Sequence, residues 1–121
     1  MAPHILVVDD ETAIAATLAA VLRKNGFTCD STASGVEAVR KAKDYPPDLI
    51  ISDIVMPDMD GFTVTASIER QFPGCRVILM TGHPALAASA KVRHPTLLKP
   101  VSVDEVLRQI GHAFEGRALG R

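Results

Sequence analysis

Five short apolar runs, each followed by a stretch with helical spacing, constrain this chain more than any other feature of its sequence. The runs are HILVV (4–8), FTCDS (27–31), DLIIS (48–52), RVILM (76–80) and TLL (96–98). FTCDS is the weakest of them. DLIIS is too continuously apolar for a sheet with one wet face. Strands that alternate with helices predict a parallel sheet covered on both faces, an α/β fold.

The segments between the runs carry the marks of helices. Ile14, Leu18, Val21 and Leu22 recur at i, i+4, i+7 and i+8, the stripe of an amphipathic helix. Asn25-Gly26 stops it, because both residues tolerate a left-handed backbone. Ser34-Gly35-Val36-Glu37 and Ser102-Val103-Asp104-Glu105 have the S-x-x-E spacing of a capping box, in which Ser bonds a free helix N–H and Glu reaches back. The first box opens a helix to about Asp44, ended by Pro46-Pro47; the second opens one with Val103, Val106, Leu107, Ile110 and Phe114 on one face. Phe62–Phe72 is a further helix, stopped by Pro73-Gly74, and residues 84–91 form a short, Ala-rich, weakly amphipathic one. Residues 115–121 read as a frayed tail. A length of 121 residues suits one domain, 1–121, with its core at about 4–114; no internal repeat or low-complexity segment interrupts it.

Composition removes several function classes. A net charge of −1 gives no polyanion signal, and with no Trp and Tyr45 as the only tyrosine a base-stacking surface is not expected, so no nucleic acid is bound directly. No run of 18 apolar residues offers a membrane span, and MAPHILVVDD has no signal-peptide pattern, which points to the cytoplasm. Cys29 and Cys75 lack metal-ligand spacing and read as small buried hydrophobes; His4, His94 and His112 show no metal spacing either.

Ligands of open parallel sheets bind beyond the carboxyl ends of the strands. There the sequence puts Asp9, Asp10 and Glu11 after the first run, Asp53 after the third, Thr81, Gly82 and His83 after the fourth, and Lys99-Pro100 after the fifth. Each has an ordinary structural reading: Asp9 and Asp10 as a helix-cap pair, Asp53 as a turn opener before Pro57, Thr81 as a strand residue or cap, Lys99 as a surface lysine, His83 as a solvated loop histidine. Taken together they read differently. Carboxylates gathered at one sheet edge repel, and a hard divalent cation resolves this; Mg²⁺ needs only one or two carboxylates plus carbonyls and waters. A carboxylate beside Mg²⁺ can act as a nucleophile toward a phosphoryl group. Lys99 can pair with the acids or with phosphoryl oxygens, Thr81 can reach a phosphoryl oxygen, and Gly82 permits close backbone approach. Lys99-Pro100 is a candidate cis peptide. Asp58 and Asp60 read as architecture: they shape the loop and cap the next helix, with Gly61 beside them.

The strings ILVVDDE, DLIISDIVMPDMDG, VILMTG and LLKP, in this order, resemble the receiver domains of bacterial two-component response regulators over essentially the whole chain. The resemblance implies a doubly wound, flavodoxin-like fold with strand order 2-1-3-4-5. It implies that Asp53 accepts a phosphoryl group from a histidine kinase or histidine phosphotransfer protein. It implies Mg²⁺ ligation by Asp10, Asp53 and the Val55 carbonyl, with Asp9 acting through water. Lys99 would pair with the phosphoryl oxygens, beside Pro100, and Thr81 would be the switch hydroxyl. Val55 and His83 would line the path of the water that hydrolyses the phosphoryl group. The protein would assist its own phosphorylation and dephosphorylation without being an enzyme in the ordinary sense.

Two departures stand out. Thr96 takes a position where receivers usually carry an aromatic residue, and the segment from Thr81 to Lys99 is about four residues shorter than usual, close to one helical turn. The shortened pattern is more like receivers attached to hybrid kinases, or standing alone, than those driving DNA-binding domains, so a covalently attached kinase or effector domain is an open expectation. The departures also support an alternative: a receiver-like interaction module that works without phosphorylation. An aspartate-nucleophile phosphatase needs an acid where Val55 stands. Flavodoxin-like cofactor binders and Rossmann proteins need a phosphate loop after the first strand, where DDET is acidic instead.

Overall fold

The structure, a computed structural model, describes residues 2–115, so the expected tail lies outside the described residues beyond Glu115. Five strands, β1 (His4–Val8), β2 (Thr28–Thr32), β3 (Leu49–Asp53), β4 (Arg76–Thr81) and β5 (Thr96–Leu98), alternate with five helices. The helices are α1 (Thr12–Lys24), α2 (Gly35–Asp44), α3 (Gly61–Gln71), α4 (Pro84–Ala90) and α5 (Val103–Ala113). All strand pairs are parallel, in the order β2-β1-β3-β4-β5. This is the doubly wound arrangement expected from the sequence.

Alternation along the strands sorts the core into two halves. Ile5, Val7, Leu49, Ile51, Ile78, Met80 and Leu97 face α1 and α5, where Leu18, Leu22, Val106, Ile110 and Phe114 meet them. Leu6, Val8, Ile50, Val77 and Leu79 face the other side and pack with Ala38 and Ala42 of α2, Val64 and Ile68 of α3 and Ala90 of α4. Every residue of β3 is buried, which is why DLIIS lacks the alternation of a half-exposed strand. Each cysteine is free and buried, and burial pushes the Cys29 thiol up to about 11 and that of Cys75 up to about 12.

Small differences from the sequence reading have local causes. β2 starts at Thr28 rather than Phe27, because the α1 terminus uses Phe27: Gly26 adopts φ 93° and the Phe27 amide donates to the Leu22 carbonyl at 3.2 Å. β3 and β4 run one residue further, so Asp53 and Thr81 belong to the ladder itself. α4 ends at Ala90. At α2 only half of the capping box forms. The Glu37 amide donates to Ser34 Oγ at 3.1 Å, but the Glu37 carboxylate pairs with Arg40, and the Ser34 amide donates to Thr32 Oγ1 instead. The Ser102 hydroxyl likewise accepts from the Glu105 amide at 3.1 Å.

Candidate functional site

The parallel register brings the carboxyl ends of β1, β3, β4 and β5 to one edge. Asp9 follows β1 directly, and its amide extends the ladder by donating to the Thr32 carbonyl at 3.1 Å. Its side chain is fully buried; Oδ1 accepts from the Glu11 amide at 2.9 Å, and Oδ2 lies 2.7 Å from Lys99 Nζ. That contact is an ion pair without hydrogen-bond alignment, so Oδ2 keeps an unused acceptor direction. Asp9 and Asp10 therefore do not form a helix-cap pair: Glu11 is the N-cap of α1, without a side-chain cap bond.

Asp53 ends β3 and is 6% exposed, with Oδ2 at 3.1 Å from Lys99 Nζ. Burial pushes its carboxyl up to about 6; Lys99 opposes this, and Asp9 and Asp10 add to it. Burial alone would lower the Lys99 ammonium, but the neighbouring carboxylates of Asp9 and Asp53 outweigh it and hold the group above its ordinary value. Carboxylate oxygens of Asp9, Asp10 and Asp53 lie within 4.8 Å of one another. Three carboxylates against one ammonium leave two negative charges uncompensated when all are ionised. Hard oxygen donors, a surplus of two charges and a free acceptor direction on Asp9 suit a divalent cation such as Mg²⁺.

The Lys99 amide donates to the Thr81 carbonyl at 2.8 Å, which ties its backbone to β4; the bond to Pro100 is cis. Thr81 is buried, and its Oγ1 accepts from the His83 amide at 3.2 Å, which leaves its hydroxyl hydrogen to donate elsewhere. His83 is exposed, caps α4 through its backbone, and makes no side-chain cap bond. Val55 lies two residues past Asp53 with its side chain exposed. Thr96 is buried on β5, and its hydroxyl donates to the His94 carbonyl at 3.0 Å, inside its own turn.

Sequence reasoning gave too little weight to two residues around the loop after Asp53. Asp58 reaches across to α2, where it accepts from Ser34 Oγ at 2.7 Å and from the amides of Gly35 and Val36 at 3.3 and 3.1 Å. These bonds hold its carboxyl down at about 2. Asp60 caps α3 as expected, accepting from the Thr63 amide at 2.9 Å. Gly61 donates to the Ile54 carbonyl at 2.7 Å, and a Cβ there would overlap the Asp53 carbonyl oxygen. The signal for Gly61 was the glycine itself. For Asp58 there was none, since its partners lie more than 20 residues earlier in the chain.

Comparison with known proteins shows the family and the fold. The family described as response regulator receiver domain matches residues 5–110. The chemotaxis protein CheY of Bacillus subtilis (strain 168) is 36% identical over 118 residues, covering 91% of this chain and 96% of that protein. The transcriptional regulatory protein GlrR of Escherichia coli (strain K12) is 34% identical over 119 residues, covering 95% of this chain but 27% of that protein. The chain thus spans about a quarter of the length of the longer regulators it matches. Among solved structures, the response regulator TrrA of Thermotoga maritima, in complex with Mg(2+)-BeF, superposes with a TM-score of 0.81 at 29% identity, covering 92% of this chain and 98% of that one. The beryllofluoride-activated NtrC4 receiver domain dimer superposes with a TM-score of 0.82 at 35% identity, covering 95% and 98%.

Proposed function

The chain belongs to the response regulator receiver domains of two-component systems, and from that premise we propose that it accepts a phosphoryl group on Asp53 and changes conformation in response. The observation that carries the proposal is the convergence of Asp53, Asp9 and Asp10 on Lys99 at one sheet edge. Asp53 has an acceptor oxygen at the end of a rigid, buried strand, and at neutral pH its carboxylate is ionised despite the raised pKa. That oxygen attacks the phosphorus of a phosphohistidine. The P–O bond to Asp53 forms as the P–N bond breaks, and the electron pair leaves with the donor imidazole. Lys99 turns from the Asp53 carboxylate to the new phosphoryl oxygens, and the Thr81 hydroxyl donates to one of them. Asp10, Asp53 and the Val55 carbonyl would hold Mg²⁺, with Asp9 acting through water; the bound ion supplies positive charge to the equatorial oxygens. Pro100 keeps the Lys99 turn in place.

The donor is a histidine kinase or a histidine phosphotransfer protein. A cleft of about 480 Å³ lined by Glu11, Ile14, Gly82, Lys99, Pro100 and Val101 opens beside the lysine and gives it room to approach. The longer relatives favour a further domain joined to this one, and membership of the receiver family favours the cytoplasm; no described helix is long and apolar enough to cross a membrane. Val55 and His83, both exposed beside the site, govern access of the hydrolysing water.

The test is incubation with Mg²⁺ and acetyl phosphate, followed by intact-mass measurement. A gain of one phosphoryl group that Asp53→Asn abolishes supports the reading. No adduct on the wild type, or an equal one on the variant, ends it. A second reading, an interaction module independent of phosphorylation, rests on Thr96, whose hydroxyl is spent on its own turn, and on the seven-residue α4. Failure to bind Mg²⁺ or beryllofluoride, with partner binding retained, would favour it.

A further inference from the structure

We infer that the outer face of α3 is a docking surface for an acidic amphipathic helix of a partner protein. The face is concave, about 530 Å³, with Val39 of α2, Met59 of the preceding loop and Phe62 and Ala66 of α3 forming its apolar floor. Phe62 is 40% exposed, although it is a large aromatic side chain. Arg70 near the end of α3 and Arg93 after α4 also line the groove. Neither makes an ion pair or side-chain hydrogen bond among the described residues. Arg40, in contrast, is held by Glu37 and Asp44; Glu69, which lines an adjoining cleft with Arg93, lies 3.5 Å from His94 Nε2.

An apolar floor flanked by two guanidiniums that make no ion pair among the described residues is complementary to a helix that carries apolar side chains at i, i+3, i+4 and i+7 and carboxylates beside them. Phe62 to Arg70 spans about 12 Å, two helical turns, so such a helix meets both the floor and the charges at once.

The same surface is built into the loop that follows Asp53, and in this respect the inference rests on the phosphoacceptor reading. Gly61 packs on the Asp53 carbonyl, and Met59 O lies 2.8 Å from where a Cβ on Gly35 would stand, so the loop is wedged between Asp53 and α2. A shift of the loop on phosphorylation moves Met59 and Phe62 against Val39 and reshapes the floor. With Thr96 spent locally and α4 short, this face offers a second route for the signal to leave the domain.

The experiment uses the whole chain, ¹⁵N-labelled, and two blocked peptides of about 16 residues, long enough to be helical. One carries Leu at i, i+3, i+4 and i+7 flanked by Glu; the other has Lys for each Glu. The acidic peptide should shift amides of residues 59–70 and 91–94 and bind at least about tenfold more tightly than the basic one. Arg70→Glu with Arg93→Glu should weaken it at least about tenfold, and Phe62→Ala, which leaves both charges in place, should weaken it as well. Beryllofluoride with Mg²⁺ should change its affinity. No binding, shifts mapping elsewhere, equal binding of both peptides, or indifference to these variants overturns the inference. Adduct formation at Asp53 is read separately: an adduct without a change in peptide affinity overturns the coupling alone, and no adduct overturns the phosphoacceptor reading while peptide binding still decides the surface.

Discussion

The two ends of the sheet carry titratable groups in similar number, yet they are arranged in opposite ways. At the amino end the polar groups are satisfied. The His4 amide donates to Asp48 Oδ2 at 2.7 Å, His4 Nδ1 lies 2.8 Å from Thr28 Oγ1, and the His4 ring stacks on Tyr45 with centroids 4.1 Å apart. At the carboxyl end three carboxylates share one ammonium, and the buried Asp53 is pushed up to about 6. The amino end has the chemistry of a closed contact, whereas the carboxyl end has surplus negative charge that a proton, a further cation or a change of covalent state can settle. Satisfied polar groups fix a fold, and unsatisfied ones at a rigid edge make a site.

The contrast can be broken first at Lys99. Lys99→Met should leave the buried Asp9 carboxylate unpaired and destabilise the protein by about 3 kcal/mol, read by urea unfolding at pH 7.5. Adding Asp9→Asn should recover part of the loss. An unchanged midpoint in Lys99→Met would mean that the carboxyl end is no more strained than the amino end.

Asp53→Asn should act in the opposite direction. Its folded pKa, about 6, lies above the ordinary 3.8. The native state therefore holds its proton over a window in which the unfolded state has lost it, and stability falls as pH rises from about 4 to above 6. Removing the charge should stabilise the metal-free protein by about 1–3 kcal/mol at pH 7.5, and the gain should vanish near pH 4. Thermal melts of both proteins across that range check the sign.

The Mg²⁺ effect follows from the same excess charge. At 10 mM it should raise the wild-type melting temperature by a few degrees, about 1 kcal/mol, and do little for Asp53→Asn or for the stability contributed by the amino end. Equal shifts in both proteins would place the ion elsewhere.

The smallest effect belongs to the amino end. Burial lowers the His4 pKa against the pull of Asp30 and Asp48, so the folded state prefers the neutral ring. Its contribution is present above the ordinary 6.5 and is lost as pH falls through the lowered folded value, opposite to Asp53 over the same range. Tyr45→Ala should cost only about 0.5–1 kcal/mol by removing the stack. A melting profile of that variant parallel to the wild type at every pH would show that ring and stack are energetically separate.

Much of this was legible in the sequence, for identifiable reasons. The strands were readable because β3 and β4 carry unbroken apolar runs and three of the helices have a stop signal, Asn25-Gly26, Pro46-Pro47 or Pro73-Gly74. The place of Asp9, Asp10, Asp53, Thr81 and Lys99 was readable because a parallel sheet sends all of its carboxyl ends to one edge. The roles of those residues rest on the chemistry proposed above. What could not be read were contacts set by the packing of elements far apart in sequence. Asp58 looked like a turn residue and serves α2; Glu37 looked like half of a capping box and pairs with Arg40. The Glu37 choice is local but undecided by spacing, since Glu reaches the helix start and an i+3 arginine equally well.

The reach of Asp58 to α2 has a further consequence, in hydrogen exchange. The first amides of a helix have no partner within it and ordinarily exchange quickly. Here the amides of Gly35 and Val36 are covered only by a carboxylate carried on the loop after Asp53. Their exchange rates are thus clocked by opening of that loop rather than by fraying of α2, and two backbone protons on a different helix become a gauge of what happens beside Asp53.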